Sequence, residues 1–167
     1  MILTWQEPTN LENSIAEFLD DQIAQSTLTL LDANGIPVVP IVRIGRTFNV
    51  NWSLPMIQLY FDDTPVIRDI ELGSNLKEIN YLIIFEIRCA LPGQEINLGK
   101  WVENTLNNGF EYYDYSPNSV NPNSPSKTQV GRVSLTFITS RPVSVGDDVE
   151  LFDKYRYRLS IQCWISS

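Results

Sequence analysis

Two pairs of adjacent carboxylates, Asp62-Asp63 and Asp147-Asp148, come nearest to a chemical signature in this chain. Each closes a strand-like run beside Pro or Gly, and the stretch "VGDDVELFD" adds Glu150 and Asp153 to the second pair. A divalent cation such as Ca2+ takes several oxygens from one flexible loop, but these acids lack the spaced ligand pattern of such a site. Solvated turn carboxylates are the simpler account. Glycoside hydrolysis would need two acids held across a cleft, and no pair stands out for that role. The chain has no histidine, which removes the commonest general base and the commonest metal ligand together. It also lacks a GxSxG elbow, a Walker-type glycine loop, a dinucleotide fingerprint and a CxxC pair. The expectation is a protein that is not an enzyme, with no catalytic residue, no cofactor and no metal site.

Arginine and tryptophan raise a different chemistry, that of partners. In the closing stretch "DKYRYRLSIQCWISS", Tyr155, Tyr157, Leu159, Ile161, Cys163 and Ile165 alternate with Arg156, Arg158, Ser160, Gln162 and Trp164. Period two is a strand signal, because successive side chains leave a strand on opposite faces. The apolar side covers a core. The arginine side needs either in-sheet acids, for which Glu86 and Arg88 offer a cross-strand setting, or another molecule. Trp164 calls for cover by a helix or for burial in a subunit contact, where Trp and Arg are enriched. Arg43 and Arg46 in "VRIGR" pose the same choice between solvent and a partner's acids.

These cations stand against an acidic background. The formal charge is -8, and residues 1 to 42 hold Glu7, Glu12, Glu17, Asp20, Asp21 and Asp32 with no Lys or Arg. Binding of nucleic acid through the bulk field is disfavoured, since phosphates need concentrated positive charge. At 167 residues, 43% hydrophobic and 19% charged, the chain reads as one globular domain, residues 1–167. No basic-then-apolar leader and no long apolar run is present, so neither classical secretion nor membrane spanning is expected. A reducing cytoplasm is the expected place of synthesis. Cys89 and Cys163 read as buried thiols, with a disulfide left open if their strands are neighbours.

The elements that position these residues follow from pattern. "TNLENSIAEFLDDQIAQ" carries Leu11, Ile15, Phe18, Leu19 and Ile23 at helical spacing, with Thr9 and Glu12 as a capping box and Pro8 stopping any helix before it. "NGIPVVPIVRIGRTFN" has two prolines that bar a central strand position. Strands are expected over "LPMIQLYFDD", "VIRDIELG" and the apolar "INYLIIFEIRCAL", whose second face (Leu82, Ile84, Glu86, Arg88) suggests a helix crossing one end. A second helix is expected in "GQEINLGKWVENTLNNG", with Ile96, Leu98, Trp101, Val102 and Leu106 inward and Gly109 as its stop. "FEYYDY" reads as a short strand. Residues 116–128 hold three prolines, three asparagines and four serines and read as a long exposed, mobile loop. "QVGRVSLTFITS" is a further strand, "RPVSVGDDVELFD" a turn-rich link. The class is α+β: a mainly antiparallel sheet flanked by two α-helices, with long loops.

Four stretches together carry a resemblance: "LENSIAEFLDDQI", "LPMIQLYFDD", "INYLIIFEIRCALPGQEINLGKWVENTL" and "FDKYRYRLSIQCWI". In their order and texture the chain resembles the tail terminator (tail completion, or neck) proteins of long-tailed bacteriophages. "NPNSPSKT" and the prolines at 37–40 have no counterpart in that pattern. The resemblance implies a structural virion protein without an active site, made in the host bacterial cytoplasm. It implies a homo-hexameric ring that caps the tail tube, contacts the tube protein and the head-side connector, and lets viral DNA through its lumen without specific binding. A closed ring needs two different complementary patches on each subunit. Arg43, Arg46, Arg156, Arg158 and Trp164 on one side, and Glu17, Asp20 and Asp21 on the first helix, are the candidate interface residues. The alternatives are another tail subunit (tube, head-closure or baseplate) and a stand-alone carbohydrate-binding module, the latter suggested by the aromatics of "FEYYDY".

Overall fold

The computed structural model describes residues 6–47, 52–62, 66–69, 77–116, 126–143 and 155–166. Helix α1 (Gln6–Gln25) is followed by β1 (Leu30–Leu31), β2 (Pro37–Val38), β3 (Ile41–Ile44), β4 (Met56–Phe61), β5 (Val66–Asp69) and β6 (Lys77–Cys89). Helix α2 (Gln94–Leu106), β7 (Phe110–Ser116), β8 (Ser126–Val143) and β9 (Tyr155–Ser166) complete the order. β1 and β2 form a small hairpin. The main sheet runs β3-β4-β6-β9-β8-β7, with β5 beside the first residues of β6. Every pairing is antiparallel except β3 with β4. The fold is α+β and mainly sheet. No helix of the described residues is long and apolar enough to cross a membrane.

The sheet is built around β6 and β9, whose registers place Tyr81, Ile83, Phe85, Ile87 and Cys89 on the same face as Tyr157, Leu159, Ile161 and Cys163. All of these are at most 2% exposed. Both helices pack on this inner face: Leu11, Ile15 and Leu19 of α1 and Leu98, Val102 and Leu106 of α2 join the same core. Among the described residues no helix therefore crosses the second face of β6, contrary to the reading of its half-apolar end. β6 and β9 also carry the two thiols to opposite ends of their shared ladder, Cys163 opposite Tyr81 and Cys89 opposite Tyr155. Both are free and buried, and burial pushes each thiol up to about 12.

α1 touches both ends of the curled sheet, β3 at one and β7 at the other. It begins earlier than its apparent capping box, at Gln6, because Pro8 falls in the first turn, where the missing N–H has no intrahelical partner to lose. Along β7 the contact is polar. Ser14 Oγ accepts the Tyr113 N–H at 3.0 Å while donating to Asn10 O, and Asn10 Nδ2 donates to Asp114 Oδ1 at 2.8 Å. The helix thus occupies hydrogen-bonding positions on an edge strand that would otherwise invite pairing.

α2 lies as expected except at Ile96, which is 41% exposed, while Glu95 and Gly99 turn inward instead. Gly99 has a packing reason: a Cβ there would come within 2.4 Å of the Tyr157 ring, so helix and strand approach too closely for any side chain. Gly109 ends the segment at φ 70°, the left-handed conformation a helix stop uses. The expected loop at 116–128 is shorter, because β7 includes Ser116 and β8 starts at Ser126; residues 117–125 lie outside the described set. β8 likewise continues through Arg141, Pro142 and Val143, which the turn-like "RPVS" obscured. Gly99→Ala is expected to destabilise the protein by about 1–3 kcal/mol through overpacking, although alanine gains about 1 kcal/mol in helix propensity. Urea denaturation would measure it, and a stabilised variant would contradict the packing account.

Candidate functional site: an arginine-rich sheet face

Period-two alternation sends to the outer face whatever the core excludes. Cross-strand register then lines these residues up in rows: Arg43, Gln58, Glu86, Arg158 and Arg141 in one, Ile41, Met56, Arg88, Arg156 and Val143 in the next. Tyr60 stands in a third row with Ile84, Ser160 and Thr139. Arg46, just past β3, lies over the Tyr60 ring with its guanidinium carbon 5.5 Å from the centroid, and donates from Nε to Phe61 O at 3.1 Å. It also donates to Asp62 O. The two arginine groups that are far apart in sequence, 43/46 and 156/158, thus belong to one surface. Arg88 and Arg141 join them, so six arginines of this acidic chain share it.

Glu86 is the hub. Its Oε1 accepts from Arg158 Nη2 at 2.5 Å and from the Tyr60 hydroxyl at 3.2 Å, and its Oε2 accepts from Arg88 Nη2 at 2.5 Å. Burial pushes this carboxyl up, but the hydrogen bonds and charges of Arg158 and Arg88 outweigh it and hold it below its ordinary value of 4.5. Tyr60 moves the other way, raised by burial and by the Glu86 charge beside it. Beneath this surface Gln58 is wholly buried, its Nε2 donating to Gly45 O and Thr47 O at 2.5 and 3.1 Å. The loop after β3 is tied down by this bond. Arg158 keeps 45% of its side chain exposed despite the Glu86 bond, so it remains available to solvent or to a partner. The in-sheet acid the sequence offered is therefore used, and used only in part.

Trp164 shares this outer face, opposite Ser134. Neither α1 nor α2 covers it, since both lie on the inner side, and it is half-buried at the β8–β9 end of the face. Asp20 and Asp21 are exposed on α1, and Asp20 lines a groove together with Arg43 at the rim of the sheet. Asp20 is raised by burial and by Asp21, against the lowering effect of Arg43. Glu17 is already engaged: its carboxylate takes the Tyr115 hydroxyl at 2.5 Å and the Lys127 ammonium. Burial pushes Glu17 up, but these two partners hold it lower overall. Lys127 also lies 4.7 Å from the Tyr113 ring centroid, so it clasps the β7–β8 hairpin to α1.

Of the acidic turns, Asp62 is described and Asp63, Asp147, Asp148, Glu150 and Asp153 lie outside the described residues. Among the described residues no three Asp, Glu or Cys side chains gather as metal ligands. Sequence reading missed Arg141, hidden beside Pro142 in what looked like a turn, and Tyr60, whose role follows only from register. No protein-family model matches the chain, and no curated protein matches it.

Glu86→Gln removes the carboxylate that gathers Arg88 and Arg158, at an expected cost of about 2 kcal/mol near neutral pH, the scale of hydrogen bonds to charged groups. Because the folded Glu86 carboxyl is depressed, its stabilisation is present above the ordinary value of 4.5 and is lost as pH falls through the folded value. The stability gap between wild type and variant is therefore widest at pH 6–7 (roughly, from this linkage) and closes on acidification. Denaturant titrations across pH would check this. A gap that does not change with pH would remove the carboxylate's charge from the explanation.

Proposed function

We propose that this chain is a structural subunit of a bacteriophage tail, acting at the neck as a ring that ends the tail tube and meets the head-side connector. The observation that carries this reading is the separation of charge across the fold. Arginines collect on the outer sheet face, while Asp20 and Asp21 stand on the helix that covers the opposite side. A head-to-tail ring needs two unlike, complementary patches on every subunit. The arginine face of one copy against the α1 acids of the next would supply them. The sequence resemblance supports the same assignment and gives the ring its expected six copies. An acidic lumen would keep DNA from adhering as it slides, consistent with the net charge of -8.

Particle imaging by electron cryomicroscopy tests the assignment. A ring between the last tube ring and the connector is the expected result, and density elsewhere in the tail would favour the tube, closure or baseplate alternative. Absence from the particle would end the structural reading. The interface has its own test in the double variant Asp20→Lys/Asp21→Lys, whose exposed positions leave the core intact. It should fold with little change in Tm and fail to join particles. Arg156→Glu with Arg158→Glu should also fail to join particles, with a lowered Tm because Arg158 is a partner of Glu86. Normal incorporation of both variants would exclude this pairing of patches.

A further inference from the structure

The two ends of the main sheet are treated differently. At β7 the helix α1 occupies the edge through Ser14. At the other end β3 is terminal and, among the described residues, pairs with β4 alone. Ile41 N and Gly45 N donate toward β4, to Pro55 O at 3.3 Å and Leu59 O at 2.9 Å. By the alternation of a parallel ladder, the amides of Val42 and Ile44 then point outward from the sheet. Beside this edge runs a groove of about 340 Å³ whose walls are Val39, Pro40, Ile41, Val42 and Arg43 on one side and Asp20, Ile23 and Ala24 of α1 on the other, so that Asp20 stands at the inner wall and Arg43 at the outer rim. Val39 is 58% exposed and Ile44 41%, so apolar surface flanks the open amides.

We infer that β3 is a receptor edge, and that its occupant is an extended segment of a partner chain alternating apolar and acidic side chains. Strand addition of this kind takes affinity from main-chain hydrogen bonds and specificity from alternate side chains. Register assigns the alternation. Val42 and Ile44 share the inner face with Ile57 and Leu59, so residues of an added strand opposite them enter the groove beside Ile23. Arg43 points to the outer face, opposite Gln58, so the added strand's intervening residue meets a guanidinium and favours a carboxylate. A second copy of β3 is a poor occupant. The two-fold pairing that uses both outward amides, Val42 opposite Ile44 of the second copy, sets Arg43 directly against its own copy, and like charges directly opposite are destabilising. Pro40 and Gly45 bound the strand and limit slipped registers. The site is independent of the ring assignment, since it concerns one edge and one peptide chemistry.

The probe is the capped hexapeptide Val-Glu-Val-Glu-Val-Glu, with Val-Lys-Val-Lys-Val-Lys as its control, added to the full chain under amide hydrogen exchange read by NMR. The Glu peptide at saturation should slow exchange at Val42 and Ile44 by about tenfold or more, the mark of new main-chain hydrogen bonds, with the Lys peptide ineffective. Arg43→Glu, an exposed substitution, should reverse the preference. Equal protection by both peptides would overturn the charge rule, and protection by neither would overturn the receptor edge. Protection that instead grows with protein concentration in the absence of peptide would give the edge to a second copy and overturn the partner assigned here.

Discussion

One register governs this molecule, that of β6 against β9. Nine consecutive cross-strand pairs, Tyr81 with Cys163 through Cys89 with Tyr155, fix it. A slip by one residue would turn every side chain of either strand to the other face. Tyr157, Leu159 and Ile161 would leave the core, and Arg158 would enter it. The register is therefore enforced by burial on the inner face, where these residues are at most 2% exposed. The outer face inherits the consequence. Glu86 meets Arg158 because Phe85 and Ile87 must be buried, so the electrostatic hub is positioned by hydrophobic packing rather than by its own modest attraction.

Alternation is a local property, and it was legible. The strand of Tyr155–Ser166, its two faces, the core positions of β6 and the edge character of residues 37–44 all follow from residues two apart and from prolines. The α+β class follows from their order. What stayed hidden depends on contacts distant in sequence. Arg43 and Arg158 share a row only because β3, β4, β6 and β9 are neighbours in that order, and no pattern within either segment encodes it. Ile96 looked like a core residue by spacing, yet α2 is rotated so that Gly99 faces Tyr157. A glycine inside a helix is unfavourable by propensity, yet here it marks a close helix–sheet approach. Thr9 and Glu12 matched a capping box, but Pro8 is as comfortable inside a first helical turn as before it.

The unequal edges follow from the same curling that builds the core. Because α1 lies in the hollow of the sheet and reaches both ends, its sequence can treat each end separately. Toward β7 it presents Asn10, Ser14 and Glu17, which hydrogen-bond to strand backbone and side chains. Toward β3 it presents Asp20, Ile23 and Ala24, which leave a groove. Toward β7, Asn10 and Ser14 are placed to hydrogen-bond the strand, whereas toward β3 the polar group is Asp20, whose charge acts on Arg43. β3 is instead defended against its own copy by Arg43 and Pro40, a weaker and more selective device.

Charge completes the asymmetry. The core layer stands between the outer arginines and the exposed acids of α1, so these groups cannot neutralise each other within one chain, apart from Arg43 at the rim near Asp20. The residue choice fits surfaces that must be held in place and still offer contacts. The outer rows described here use arginine and no lysine. A guanidinium is planar with five N–H donors, so bonding one of them to a neighbour leaves others directed outward. Arg158 gives Nη2 to Glu86 and keeps 45% of its side chain exposed. An ammonium in its place would be a point charge on a flexible stem, losing more rotamer freedom for each bond formed. Anchoring by Glu86 thus pre-orders the surface without consuming it, and an ordered cation loses less entropy when a carboxylate from another chain arrives.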